Sequence, residues 1–222
     1  MNRFSWSDAP CKTAFPVAAA GYPFIVASAF TTFVFALLEM PFLSVSCLAI
    51  TFFICFFFRD PDRVTPTSKG LVVSPADGKV IAVETVAGSP LLEGECLKIS
   101  IFMSIFNVHV NRIPQDGVIK KIEYRPGAFF SADLNKASEK NERNAILMET
   151  VDGKKIGFVQ IAGLVARRII CRVQPGDVVK RGQRFGMICF GSRLDVYLPI
   201  DSKPCIVKGE KVRAGTTILG EL

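Results

Sequence analysis

From Thr13 to Leu38 the chain runs 26 residues without a charge, and from Met40 to Phe58 another 19. As helices these runs reach roughly 39 and 29 Å, against a hydrocarbon core of about 30 Å. Only Glu39 separates them, and Pro41 follows at once, so the pattern predicts a tight α-helical hairpin. Arg3 and Lys12 precede it, Arg59, Arg63 and Lys69 follow it, and the turn is acidic. The positive-inside rule then places both ends in the cytoplasm, with the following domain on that side of the cell membrane. Pro16, Pro23 and Pro41 leave open a hairpin that re-enters without crossing; spanning is the preferred reading. A cleaved signal peptide is disfavoured, because the first run is long and a second apolar run follows directly.

After a polar, Pro-containing linker at 59–70 the period changes. Short runs rich in Val and Ile alternate with turn signals, the mark of strands. Expected strands are 71–73, 79–85, 96–101, 107–111, 117–124, 145–150, 155–161, 168–173, 184–190, 195–199, 203–207 and 217–221. Asp77-Gly78, Asp116-Gly117, Asp152-Gly153, Pro175-Gly176 and Gly209-Glu210 supply the turns. One helix is expected near 134–144 and a short turn near 163–167. The form G-[DE]-x-V-x-x-G occurs at Gly176–Gly182 and again 33 residues later at Gly209–Gly215. Its glycines fit sharp corners and its valine can point inward, as in sandwich-like barrels. The predicted class is therefore a mostly β (α+β) soluble domain with barrel-like β-corners over 71–222. An anchor at 1–58 and a linker at 59–70 precede it.

Composition sharpens this division. The chain has 222 residues, of which 50% are hydrophobic and 21% charged, with a mean hydropathy of +0.35. That excludes a disordered chain. Residues 1–58 hold four charged side chains (Arg3, Asp8, Lys12 and Glu39), so the whole net charge of +7 lies in 59–222. A basic face beside an anionic bilayer is the natural use, with Arg59, Arg63, Arg143, Arg167, Arg168 and Arg193 as candidates. Nucleic-acid binding is not expected, because the charge is modest and no aromatic–basic motif occurs. Seven cysteines without a C-x-x-C pair, beside one histidine, argue for reduced structural thiols and against a zinc site.

The single histidine, His109, lies in Phe106-Asn-Val-His-Val-Asn-Arg112. If this is a strand, Asn107, His109 and Asn111 share one polar face. Ser74-Pro-Ala-Asp77-Gly-Lys79 and Gly191-Ser192-Arg193 supply an aspartate and a serine. Asp, His and Ser thus occur in chain order, the parts of a serine-based site. No G-x-S-x-G elbow accompanies them. A membrane-tethered serine hydrolase and a carrier or adaptor barrel both remain open from the residues alone. The carrier reading lacks a lysine displayed at the corner.

Six segments in order carry a resemblance: FFFRDPDR (56–63), SPADGKV (74–80), FMSIFNVHVNR (102–112), NKASEKNER (135–143), QIAGLVARRIIC (160–171) and RFGMICFGSRLDVYLP (184–199). Together with the apolar hairpin they resemble the short bacterial form of the phosphatidylserine decarboxylase family. The resemblance implies a carboxy-lyase proenzyme that makes its own cofactor. Ser192 Oγ attacks the Gly191 carbonyl, and the resulting ester breaks by β-elimination. Residue 192 then loses ammonia to become a pyruvoyl group, with no metal involved. It further implies a β chain of 1–191 and an α chain of 192–222 that stay together as a heterodimer, with higher assembly open. The pyruvoyl carbonyl forms a Schiff base with phosphatidylserine in the bilayer, CO2 leaves, and phosphatidylethanolamine results. An ether-lipid serine head group would undergo the same chemistry.

By the same resemblance His109 and Asp77 occupy acid/base positions, His109 for proton transfer and Asp77 to orient and charge-stabilise a base. Asn107, Asn111, Arg112 and Arg193 are candidate substrate-binding residues. Longer members of the family carry H-x-x-H where this chain has His109-Val-Asn-Arg112, so the second histidine is replaced by Arg112. Either His109 serves both self-cleavage and decarboxylation, the preferred reading, or another group takes one task. The corner also reads FGS where longer forms have LGS.

Overall fold

A computed structural model describes residues 4–6, 15–128, 130, 140–163, 168–189 and 191–222. Two compact units emerge, one spanning Cys11–Asp62 and the other Met1–Pro10 with Arg63–Leu222. In the first, α1 (Tyr22–Leu37) and α2 (Pro41–Phe57) form an antiparallel pair. Each begins with a proline in its first turn, where the missing N–H costs nothing. Glu39 makes the reversal at φ 54°, and the Met40 N–H donates to the Phe35 carbonyl at 3.0 Å. Ser28 and Thr51 share a 2.7 Å hydroxyl contact across the pair. The apolar stretch Ala19–Leu37 is long and apolar enough to cross a membrane; α2, at 17 residues, is shorter.

The second unit is mostly β, as the alternating pattern predicts. Its strands are β1 (Phe4–Trp6), β2 (Val64–Pro66), β3 (Leu71–Val73), β4 (Gly78–Val86), β5 (Cys96–Met103), β6 (Val110–Arg112), β7 (Gly117–Arg125) and β8 (Arg143–Thr150). They continue with β9 (Lys155–Ala162), β10 (Arg168–Cys171), β11 (Val178–Val179), β12 (Arg184–Cys189), β13 (Ser192–Pro199), β14 (Lys203–Pro204), β15 (Lys211–Val212) and β16 (Ile218–Glu221). One large sheet, ordered β11-β7-β8-β9-β13-β5-β4-β15, curls into a half-barrel. Two three-stranded sheets, β10-β12-β6 and β14-β16-β3, and the two-stranded pair β1-β2 accompany it. The main core draws Ile99, Ile101, Phe158, Leu194 and Val196 from the large sheet and Val72, Phe185, Ile188 and Leu219 from the small ones. Phe158 and Phe185 meet edge-on at 5.1 Å across it. Each such ring contributes about 1.5–3 kcal/mol by leaving water.

This order reads the same from either end once β3, β4, β5, β13, β14, β15 and β16 are exchanged for β6, β7, β8, β9, β10, β11 and β12. The hydrogen bonds repeat with it. Gly215 N–H donates to Ser74 O at 2.8 Å and Gly182 N–H to Ile113 O at 2.7 Å. Ala214 N–H donates to Asp77 Oδ1 at 2.7 Å and Arg181 N–H to Asp116 Oδ1 at 2.9 Å. Register slips fall between Val80 and Ala82 in one half and between Ile119 and Lys121 in the other. The half β6–β12 is thus inserted into its twin between β5 and β13. The chain crosses between halves twice, once through 104–109 and once through Gly191.

The repeated G-[DE]-x-V-x-x-G corners are the closing elements of the two halves. Gly176, Gly182, Gly209 and Gly215 all have φ between 72° and 101°, and Val179 and Val212 point into the core. Four expectations change, the first being the strand expected at 203–207, which forms only over Lys203–Pro204. The strand expected at 107–111 begins only at Val110, because 105–107 turn. The strand expected from Asp195 begins at Ser192. The helix expected at 134–144 lies largely outside the described residues, and its last residues, Arg143 and Asn144, are in β8.

At Gly209 no described atom lies within 4 Å of the place a methyl group would occupy, so Gly209→Ala isolates backbone strain. We expect a loss of about 1–2 kcal/mol in chemical denaturation. Gly88→Ala, at a residue without left-handed φ, should be close to neutral.

Candidate active site

β13 is the central strand of the large sheet and Ser192 is its first residue. Ser192 is paired with Met103, the last residue of β5, and with Ala162, the last of β9. It is fully buried, and its Oγ contacts Met103 Sδ at 3.4 Å. Gly191 enters the strand at φ 41°, a conformation that only glycine adopts without strain. No described atom lies within 4 Å of where its Cβ would be, so the backbone, not crowding, demands glycine.

His109 is buried at the end of the first crossing. Its carbonyl accepts the Ile188 N–H at 3.4 Å, which sets it beside β12, the strand leading to Gly191. Its Nδ1 lies 2.9 Å from the Asn107 carbonyl oxygen. A carbonyl only accepts, so Nδ1 holds a proton, and Nε2 is the nitrogen left for proton exchange. Asn107 does not share a strand face with His109. Its Oδ1 accepts the N–H and the hydroxyl of Ser104, both at 2.8 Å, and holds the turn.

Asn111 does reach the serine's surroundings. Its Nδ2 donates weakly to Met103 Sδ at 3.9 Å, the sulfur that Ser192 also touches. Its Oδ1 accepts from Gln160 Nε2 at 2.9 Å, and Gln160 Oε1 accepts from Asn144 Nδ2 at 3.1 Å. This buried amide chain ties β6 to the large sheet across an otherwise apolar core. Neither Gln160 nor Asn144 stands out in the sequence. A glutamine inside the apolar run 155–161 is the available signal.

Asp77 lies in the loop whose Pro75 carbonyl accepts the Arg112 N–H at 2.9 Å. Its Oδ1 accepts from Ala214 N, and its Oδ2 pairs with Arg63 at 2.9 Å. Arg63, the last residue of the RDPDR segment, is thus a direct partner of Asp77. Arg112 is buried and donates from Nη1 to the Gly182 carbonyl at 2.9 Å. Arg193 lies on the opposite face of β13 from Ser192. There it pairs with Asp195 at 2.6 Å and donates to Ser100 Oγ at 2.9 Å. It is therefore no part of a solvated basic face, since both partners are buried. Beside it, burial and then the Asp195 charge raise the Tyr197 phenol well above its ordinary range, so it stays neutral.

Cys189 precedes the second crossing. Burial pushes its thiol up, only partly opposed by Arg168, so it is protonated at neutral pH and no rival nucleophile to Ser192. Among the described residues no group of three or more His, Cys, Asp or Glu side chains could hold a metal ion.

The described geometry thus holds a buried serine behind a left-handed glycine, with a histidine beside the strand that leads to it. The family model for phosphatidylserine decarboxylase matches residues 50–220. Relatives named phosphatidylserine decarboxylase proenzyme include one from Syntrophus aciditrophicus, 54% identical over 92% of this chain and 96% of its own. Those from Desulfotalea psychrophila and Paraburkholderia xenovorans are 51% and 52% identical, each over 93% of this chain and 97% of theirs. The chain belongs to the phosphatidylserine decarboxylase family, a family of carboxy-lyases.

Because Asp116 repeats the corner contact of Asp77 without Arg63, the two separate structure from chemistry. Asp116→Ala should cost about 1 kcal/mol in denaturation and leave any internal cutting of the chain unchanged. Asp77→Ala should cost a similar amount and also slow the cutting, read as the cut fraction on denaturing gels over time.

Proposed function

We propose that this chain cuts itself between Gly191 and Ser192 and then decarboxylates phosphatidylserine to phosphatidylethanolamine at the surface of the cell membrane. The observation that carries the reading is the junction itself. Gly191 is left-handed and uncrowded, while Ser192 is locked on both sides by β5 and β9. A cut before Ser192 releases strain on one side and leaves the new terminus in its ladder.

His109 Nε2 takes the Ser192 hydroxyl proton as Oγ attacks the Gly191 carbonyl, and returns a proton to the departing nitrogen. Asp77, held by Arg63 and the Ala214 N–H, supplies fixed negative charge that favours the protonated imidazole. A pyruvoyl group at residue 192 would sit buried at the head of its ladder, flanked by Met103 and Ala162. When formed, that group supplies an electron-withdrawing carbonyl for loss of CO2 from the serine head group. His109 then serves proton transfer during turnover as well. The products, 1–191 and 192–222, stay joined because β13, β15 and β16 pair with β5, β9, β4 and β3. The hairpin α1–α2 holds the enzyme at its lipid substrate, with the β domain on the cytoplasmic side.

Intact mass of the purified protein tests this directly. Two fragments divided between Gly191 and Ser192 are expected, the smaller without a free N-terminal amine; a single intact chain in active enzyme would falsify the reading. Ser192→Ala should abolish both cutting and CO2 release. His109→Ala should lose both as well, measured by gel and by CO2 capture. Normal cutting with lost turnover would confine the histidine to the second step.

A further inference from the structure

The end of the large sheet that holds Ser192 also gathers three other chain segments. Met103 and Ala162, which pair with Ser192, end β5 and β9, while Arg125 ends β7 opposite Arg143, the first residue of β8. The turn after β5 therefore emerges beside the serine. So does the loop between β7 and β8, where the Asn141 amide bonds both the Phe130 backbone and the Ala162 carbonyl.

Both loops present apolar side chains to solvent. Ile105 is 37% exposed, Phe106 64% and Phe130 45%. Single exposed apolar residues are common. These three, however, lie beside polar locks. Asn107 clasps Ser104 through three bonds of 2.8–2.9 Å, and Asn141 clasps Phe130 through bonds of 2.9 and 2.8 Å. Ile105 and Phe106 thus sit within the Ser104–Asn107 turn, and the Phe130 backbone is bound to Asn141.

Two arginines are exposed at this end: Arg125, with Glu123 3.4 Å away, and Arg168, which pairs with Cys189 just before the second crossing. At the opposite end, where β13 finishes, a cavity of about 520 Å³ is lined by Glu93, Glu95, Lys155 and Asp201, the last paired with Lys154 at 3.1 Å. Apolar tips beside exposed arginines are complementary to an anionic bilayer.

We propose that the Ser192 end of the β domain is a membrane-docking face. Ile105, Phe106 and Phe130 enter the acyl boundary, and Arg125 and Arg168 lie among anionic head groups. This deepens the proposed function, on which it rests for a substrate that lives in the bilayer. The face brings the buried serine to the depth of the head group, a task separate from tethering by the apolar hairpin.

The test uses the full-length protein with Trp6→Phe and Phe106→Trp, which leaves the indole at 106 as the sole Trp. With vesicles of phosphatidylserine and phosphatidylcholine carrying brominated acyl chains, its emission should shift to the blue and be quenched. Pure phosphatidylcholine vesicles, or Arg125→Gln/Arg168→Gln, should weaken both signals. In parallel, Ile105→Ser/Phe106→Ser should cut itself normally and turn over monomeric short-chain phosphatidylserine at the parent rate. On bilayer substrate it should lose about tenfold at limiting lipid, as expected when two apolar side chains no longer leave water. Absence of bromine quenching, as a protein partner at this face would give, overturns the proposal. So does an equal loss on monomeric and bilayer substrate, or a loss of self-cleavage in the double serine variant. Quenching without any CO2 release by the parent protein would support the docking face while overturning the proposed reaction.

Discussion

β13 is held by β5 along its whole length and by β9 from Ser192 to Tyr197, and Ser192 is the first residue held on both sides. Much of the domain follows from this constraint. A chain that is to be cut beside its reactive residue needs the new terminus fixed without help from the bond that is lost. A central antiparallel strand provides that, because its ladder of hydrogen bonds survives the cut. An edge strand would leave residue 192 half-paired and free to fray. The insertion of one half into the other is what places a chain crossing at the start of a central strand. In an uninterrupted half the corresponding connection is the tight hairpin between β8 and β9, which has no loose end to spare.

The internal two-fold also weighs the candidate residues against one another. Asp77 and Asp116 make the same bond to the returning corner, so that bond is architecture and says nothing about chemistry. The halves differ at the second carboxylate oxygen. Asp77 Oδ2 faces Arg63 at 2.9 Å, whereas Asp116 has only a 3.9 Å approach from Arg181. Arg181 is instead committed to Gln115 and to the carbonyls of Pro66 and Ser68, pinning the segment that follows β2. Its burial lowers the guanidinium pKa, with Asp116 opposing, yet arginine remains charged at any working pH. The two arginines thus anchor the same stretch of chain, and only one bears on a candidate acid/base residue.

Most strands and both corners are legible in the sequence, because period-two alternation and left-handed glycines are local signals. Asn107, His109 and Asn111 show where that ends. Alternation alone puts them on one face, but the Asn107 side chain prefers a nearby N–H and hydroxyl, and the strand gives way to a turn. Arg193 reads as surface charge because arginine seldom enters a core; Asp195 two residues on, the natural same-face partner in a strand, is the cue to the contrary. Gln160 and Asn144 are illegible for a different reason. Each acts through a residue distant in sequence, and a single buried amide leaves no periodic trace. The two-fold itself is visible only as the echoed corner, since insertion separates the strands of one half by about eighty positions of its twin.

One histidine for two tasks is less demanding than it looks. The Asn107 carbonyl fixes the Nδ1 proton, so all exchange must pass through Nε2 and toward one side of the ring. In the proposed mechanism self-cleavage would occur once in the life of a chain, before any substrate could react. Turnover would begin only afterwards, at the same residue 192 in the same ladder. The two proposed proton transfers would therefore share a place but never a moment. A second histidine would serve only if the reacting atom moved between steps, and the pairing of Ser192 with Met103 and Ala162 opposes such movement. Arg112, in the place of a second imidazole, takes a structural task instead, its guanidinium bound to the Gly182 carbonyl at the β-corner.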